Sequence, residues 1–158
     1  MYLPDHTPDH VGYKIEGNVF VGDSIFNPDV GSARVDFPGG SATDLWTSAQ
    51  KLLALPEDFR LYIGHDYPPF SRQASESGEK WKAYTTVAEQ KRENRHVKAG
   101  TKKEGFVNWR RERDAGLGEP RLLIQAIQVN IRGGRLPRDG FMKALVKGEE
   151  DVLRLMKE

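Results

Sequence analysis

The chain contains no cysteine. Disulfides, thiolate metal sites and thiol nucleophiles are excluded together, so any metal must be held by histidine and carboxylate side chains. Long apolar runs are missing as well. Nothing approaches the roughly 20 residues that cross a bilayer, and the opening MYLPDHTPDH carries neither a basic nor an apolar leader segment. A soluble, unsecreted protein is expected, with the cytoplasm as its default compartment. Internal repeats and low-complexity tracts are absent too. Histidine is limited to positions 6, 10, 65 and 96, which restricts where imidazole chemistry can occur.

What is present suits a folded domain. Of 158 residues, 37% are apolar and 30% charged, with three Trp, seven Phe and five Tyr, enough side-chain volume for a core. The net charge of +1 conceals an uneven spread: from Lys80 to Arg113 there are eleven Lys/Arg against four Glu, so the rest of the chain is acidic.

Residues 1–69 read as an α/β core. VGYKIEG alternates apolar and polar positions before the turn pair Gly17-Asn18, and VFVG is a short apolar run, so the two predict a hairpin with Asp23 just past its second strand. A loop, NPDVGSARVDFPGG, gives way at Ser41 to a helix: Ser41 and Asp44 form a capping pattern, Leu45, Ala49, Leu52 and Leu53 share one face, and Pro56 ends it. RLYIG is a further strand, with His65 immediately beyond it and a turn at Pro68-Pro69.

Residues 70–158 read as a mainly helical extension. After the polar loop SRQASESGEK, Thr86 to Glu89 and Thr101 to Glu104 look like helix starts, predicting helices near 85–98 and 101–115. EPRLLIQAIQVNIRGG is taken as a helix, although IQVNI alone alternates like a strand, and 139–157 has helical character. KRENR and WRRERD mix signs at helical spacing, as solvated faces do when their aromatics pack inward. Lys/Arg interleaved with Trp81 and Trp109 would alternatively suit nucleic-acid phosphates and bases, a less favoured role.

His6, Asp23 and His65 each stand at or just beyond a strand end, where side chains from distant positions can converge on a rigid support. Two imidazoles and a carboxylate suit zinc, iron or manganese. On spacing alone the same three residues also read as unrelated surface or capping groups.

HTPDH, FVGDSIF, GSARVDFPGG and YIGHDY, in this order and at these separations, resemble the C-terminal half of the metallo-β-lactamase fold, most closely its glyoxalase II and persulfide dioxygenase branch. TTVAEQKRENRHV and LLIQAIQVNIRGGRLP resemble the helical portion of related hydrolase-like members, so the likeness runs over roughly residues 3 to 137. It implies a partial αββα fold, one sheet plus helices. It also implies His6 as a ligand of a first metal, Asp23 as a catalytic carboxylate shared by two metals, and His65 as a ligand of the second, with zinc or iron as cofactor. In mononuclear iron members His6 and Asp23 would match two of three ligands.

The family's opening motif, His-x-His-x-Asp-His, occurs nowhere in the chain. Neither metal site is therefore expected to be complete, and a single weakly held ion is the most expected of the isolated chain. The chain is expected to begin inside the family pattern. A complementing N-terminal half, or a second copy covering a bare sheet face, is then an expected partner. Where the family commonly has Gly, this chain has Asp9, which either takes a left-handed backbone or adds a carboxylate near the site. His10 is expected to orient a ligand rather than be one. Arg34 and Asp36 read either as a structural pair or, by resemblance, as placing Arg34 against substrate. Tyr67 reads either as a half-buried aromatic or as a substrate contact.

The expected activity is that of a metallohydrolase-like protein acting on a thioester, persulfide or lactam through metal-activated water or oxygen, incomplete in this chain. The alternative is a non-catalytic, homo-oligomeric binding module.

Overall fold

A computed structural model describes residues 1–74, 80–118, 120 and 122–135. The helix expected at 139–157 lies outside the described residues. In chain order the elements are β1 (Tyr13–Ile15), β2 (Asn18–Gly22), α1 (Ala42–Leu53), β3 (Arg60–Ile63), α2 (Phe70–Gln73), β4 (Tyr84–Thr86), α3 (Val87–Glu93), α4 (Lys103–Ala115) and α5 (Leu123–Asn130). One compact unit extends from Met1 to Leu117 and so includes residues on both sides of position 69; a second begins at Gly118 and contains α5.

Four strands form one sheet in the order β1-β2-β3-β4. The hairpin forms as the alternation predicts, with β1 antiparallel to β2. β2 and β3 run parallel, so Gly22 and Ile63 reach the same edge of the sheet together. That alignment places Asp23 and His65 side by side at the carboxyl ends of neighbouring strands, where parallel sheets commonly present functional groups. A register irregularity between Phe20 and Gly22 turns β2 just before Asp23.

Strand alternation sorts the sheet into two faces. Val19, Val21 and Leu61 are fully buried and pack with Leu45, Ala49 and Leu52 of α1, and Val87, Val97 and Phe106 extend the same core. The opposite face carries aromatic side chains: Phe20 stacks on Tyr62 at 5.0 Å, and Tyr62 meets Tyr84 at 5.2 Å. Phe20 and Tyr84 remain 45% and 41% exposed, so this ladder is a partly exposed apolar surface.

Helix starts follow the side-chain chemistry. Ser41 Oγ accepts the Asp44 N–H and begins α1. Thr86 and Glu89 complete a reciprocal capping box at α3. The expected helix from 85 differs: Tyr84–Thr86 pairs antiparallel with β3, and only then does α3 begin, ending at Glu93 because Asn94 is turned to cap and brace the following loop. α4 starts at Lys103 with no side-chain cap. The inward packing expected of both tryptophans holds for Trp109 alone, since Trp81 is 67% exposed. Among the described residues, no helix is long and apolar enough to cross a membrane.

Candidate metal centre

The loop from Leu3 to His10 is folded back on itself, with the Leu3 N–H donating to the His10 carbonyl at 3.1 Å. Asp5 anchors it from inside. Its carboxylate accepts from Ser24 Oγ at 2.5 Å and from the His6 N–H at 2.5 Å, and its carbonyl accepts the Ser41 N–H at 3.0 Å. Burial pushes the Asp5 carboxyl above its ordinary range against the opposing pull of those hydrogen bonds and of His10 and His6. The loop is thus tied both to the end of β2 and to the start of α1.

His6 projects from this loop with its ring orientation fixed. Nδ1–H donates to the Arg34 carbonyl at 2.7 Å, and Phe37 meets the ring edge-on at 4.6 Å. The other ring nitrogen, Nε2, lies 4.0 Å from Asp23 Oδ2 and is the one left to face a ligand. His65 Nε2 approaches the same oxygen at 3.4 Å. The three residues form two His–Asp pairs that share one carboxylate oxygen.

Asp23 is held through its backbone. Its N–H donates to His10 Nε2 at 3.3 Å, so the His10 proton must sit on Nδ1, facing the Leu3 carbonyl at 3.2 Å and Asp5 Oδ1 at 3.5 Å. Two glycines make room. Gly22 has φ +54, and a Cβ there would fall 2.6 Å from His10 Nε2; a Cβ on Gly64 would fall 2.5 Å from Asp23 Oδ1. The glycines of FVGD and YIGH are therefore required by the close approach of the chain to these side chains.

The segment bearing His65 is braced by its neighbour. Asp66 accepts two bonds from Arg72, at 2.6 and 2.7 Å, one from the Lys82 N–H at 2.9 Å and one from Asn27 Nδ2 at 2.8 Å. Burial pushes the Asp66 pKa up, but Arg72, Lys82 and Asn27 outweigh it and hold the group below its ordinary value.

The other candidates occupy distinct places. Asp9 is exposed and avoids the left-handed conformation, since Glu16 is the one described non-glycine residue with positive φ. Its carboxyl is held low chiefly by the Thr7 side chain. Arg34 meets Asp36 through a fork of two bonds, Nε to Oδ1 at 2.6 Å and Nη2 to Oδ2, while its backbone carbonyl fixes His6. Tyr67 is 59% exposed and packs edge-on against Phe26. Arg34 and Tyr67 line, with His6 and Asp23, a cavity of about 560 Å³.

Two imidazoles brought to one carboxylate form a nitrogen and oxygen donor set of the kind that suits zinc or iron. Among the described residues, no group of three or more His, Asp and Glu side chains is disposed to hold a metal ion by itself. His6 Nε2 and His65 Nε2 both approach Asp23 Oδ2, at 4.0 and 3.4 Å.

Residues 1–65 match the metallo-beta-lactamase superfamily. Glyoxylase B2 of Dictyostelium discoideum is 52% identical over 135 residues, covering 85% of this chain and 44% of that relative. A beta-lactamase hydrolase-like protein of Agrobacterium fabrum is 50% identical over 154 residues, covering 97% of this chain and 34% of its own length. In three dimensions the chain superposes on the crystal structure of ETHE1 from Myxococcus xanthus with a TM-score of 0.68 and 31% identity, over 85% of this chain and 53% of that one. The fold is a partial metallo-β-lactamase fold. These similarities lie with its glyoxalase II and persulfide dioxygenase-like branch, and the chain spans less than half the length of either curated relative.

Asp5, Ser24, Asp66 and Arg72 are not legible as site residues in the sequence. Asp5 carries a faint signal, a carboxylate adjoining the candidate ligand His6. The others act through contacts between distant segments that no local spacing records.

Proposed function

We propose that this chain supplies one side of a metal centre in a metallohydrolase-like protein acting on a thioester, persulfide or lactam substrate, and that further ligands from outside these residues complete it. The observation that carries this reading is the approach of His6 Nε2 and His65 Nε2 to the same oxygen of Asp23. The names of the relatives, among them a probable metallo-hydrolase of Burkholderia pseudomallei, support hydrolytic chemistry. A bound zinc or iron ion would supply Lewis acidity and lower the pKa of a coordinated water toward about 7.

The chain's own residues set the geometry. The Arg34 carbonyl keeps the His6 proton on Nδ1, His10 anchors the Asp23 backbone, and the Arg72–Asp66 pair braces the segment that carries His65. Such supports fix ligand orientation before an ion arrives.

Zinc titration of the full chain, followed by calorimetry and by mass spectrometry of bound metal, tests the proposal. His6→Ala and His65→Ala are each expected to weaken uptake at least tenfold, and Asp23→Asn to abolish it. Uptake unchanged in Asp23→Asn would overturn the shared-carboxylate reading. A complete lack of uptake in the unaltered chain would favour the second reading, a non-catalytic homo-oligomeric binding module. The partly exposed aromatic ladder of Phe20, Tyr62 and Tyr84 is what supports that alternative.

A further inference from the structure

His6 Nδ1–H donates to the Arg34 carbonyl, and that carbonyl belongs to the same peptide unit as the Val35 N–H. On its far side the unit is held by Asp114 of α4, whose Oδ2 accepts the Val35 N–H at 2.8 Å. Peptide units are planar, and no cis bond occurs among the described residues, so the carbonyl and the N–H point in opposite directions from one rigid plate. Asp114, the 34–35 peptide and the His6 ring therefore form one continuous hydrogen-bonded line. It ends at His6 Nε2, 4.0 Å from Asp23 Oδ2.

Asp114 is built into place. It is 5% exposed, and its other oxygen, Oδ1, accepts from Arg110 Nη2 one helical turn earlier. Arg110 Nη1 in turn donates to the Ser32 carbonyl at 3.4 Å, so the pair grips the 32–35 segment at both ends. The Ser32 N–H is held as well, by His96 Nδ1 at 2.9 Å. A Cβ on Gly40 would fall 2.3 Å from the Val35 carbonyl oxygen and 3.0 Å from that of His6, so the segment has little room to shift.

Stability alone does not account for this arrangement. A buried ion pair gives little net stabilisation over apolar residues, because desolvation offsets the attraction. Neutralising Arg110 would also need only one carboxylate oxygen, whereas the second is directed at the peptide behind His6. A carboxylate that accepts from that N–H polarises the unit and makes its carbonyl a stronger acceptor for the imidazole. Carboxylates that act on a metal-binding histidine from behind fix its ring and its proton.

We propose that Asp114 is a positioning residue for His6, acting through the 34–35 peptide to keep the imidazole proton on Nδ1 and Nε2 turned toward Asp23. A helix of the C-terminal part thereby acts on a ligand carried by the N-terminal loop. The consequence for a bound ion rests on the metal-centre reading, but the control of the His6 ring by Asp114 does not.

The test uses the full, metal-free chain and reads the Val35 amide proton and the His6 ring by NMR at about pH 8, where an ordinary imidazole is neutral. Asp114→Asn leaves a single oxygen to serve both Arg110 and the Val35 N–H, and it is expected to move the Val35 amide and His6 Nδ1–H protons upfield together. Arg110→Met with Asp114→Leu removes the ion pair and the acceptor. It is expected to leave the His6 ring as a mixture of tautomers and to weaken zinc about fivefold. Arg110→Met with Asp114→Asn, which restores only the acceptor, is expected to recover the single tautomer. A general loss of packing would lower the melting temperature of both double variants without sorting their tautomers. A His6 proton unmoved in Asp114→Asn, or tautomers alike in the two double variants, overturns the proposal; should the leucine variant fail to fold, Asp114→Asn decides alone. Zinc titrated into the same samples separates the readings. No uptake by the unaltered chain, with the ring still answering to Asp114, sinks the metal centre alone, and uptake with an indifferent ring sinks this proposal alone.

Discussion

The backbone N–H of Asp23 donates to Nε2 of His10 at 3.3 Å, which makes His10 a support for the backbone that carries the Asp23 carboxylate. The bond is possible because Gly22, at φ +54, leaves the space that a methyl group would take from the imidazole. Gly22→Ala is therefore expected to destabilise the chain by about 1–3 kcal/mol through left-handed strain and displacement of His10. His10→Phe should cost a similar amount by leaving the Asp23 amide unpaired. Urea denaturation checks both, and the double variant is expected to cost less than the sum, since the two changes remove one interaction.

Asp66 gives the acid limb of stability. Its folded pKa lies below the unfolded value of 3.8, so its contribution is fully present above that pH and is lost as pH falls through the folded value. Asp66→Asn is expected to lose about 1–2 kcal/mol near neutrality, since Arg72 loses one of its two carboxylate partners and keeps Asp29, and to show a flatter stability profile below pH 4. Denaturation midpoints measured from pH 7 to pH 2.5 on both chains provide the check.

His96 acts at a higher pH. Burial first, then the Arg95 and Arg110 guanidiniums, push its pKa down from 6.5 to about 4. The unfolded chain then binds a proton between these values that the folded chain refuses, so stability is full above about pH 6.5 and declines as pH falls toward 4. His96→Phe should lose less stability than the unaltered chain across that interval. Thermal melts at pH 7.5 and 4.5 give the comparison, and equal losses in both would remove His96 as the cause.

The aromatic ladder predicts association. Phe20, Tyr62 and Tyr84 form one stacked surface on the partly exposed face of the sheet. A homo-oligomer, or binding of a complementing segment, is the expected way to cover it. Light scattering should give a mass above 17.9 kDa that falls toward the monomer in Phe20→Lys with Tyr84→Lys. A clean monomer at high concentration would count against self-association.

Legibility in the sequence depends on whether the signal is local. The hairpin, α1 from Ser41, β3 and the Thr86 capping box can each be read from a few adjacent residues, and the structure contains them. β4 cannot, because Tyr84–Thr86 is too short to alternate and takes its conformation from pairing with β3. The convergence of His6, Asp23 and His65 is implied by the resemblance of whole motifs, whereas the spacing of these three residues suits unrelated surface or capping groups equally well. The buried supports are hidden for a different reason. Asp5, Ser24, Asp66 and Arg72 gain their roles from partners on other segments, so their residue types look ordinary until the chain has folded.

A mutational survey that watched only histidines and acidic side chains would overlook Gly64. That residue has no functional group, yet its α-carbon stands so near Asp23 that one added methyl would fall 2.5 Å from Oδ1. Damage inflicted at this silent neighbour should register as a changed appetite for cations well before it registers as a lower melting temperature.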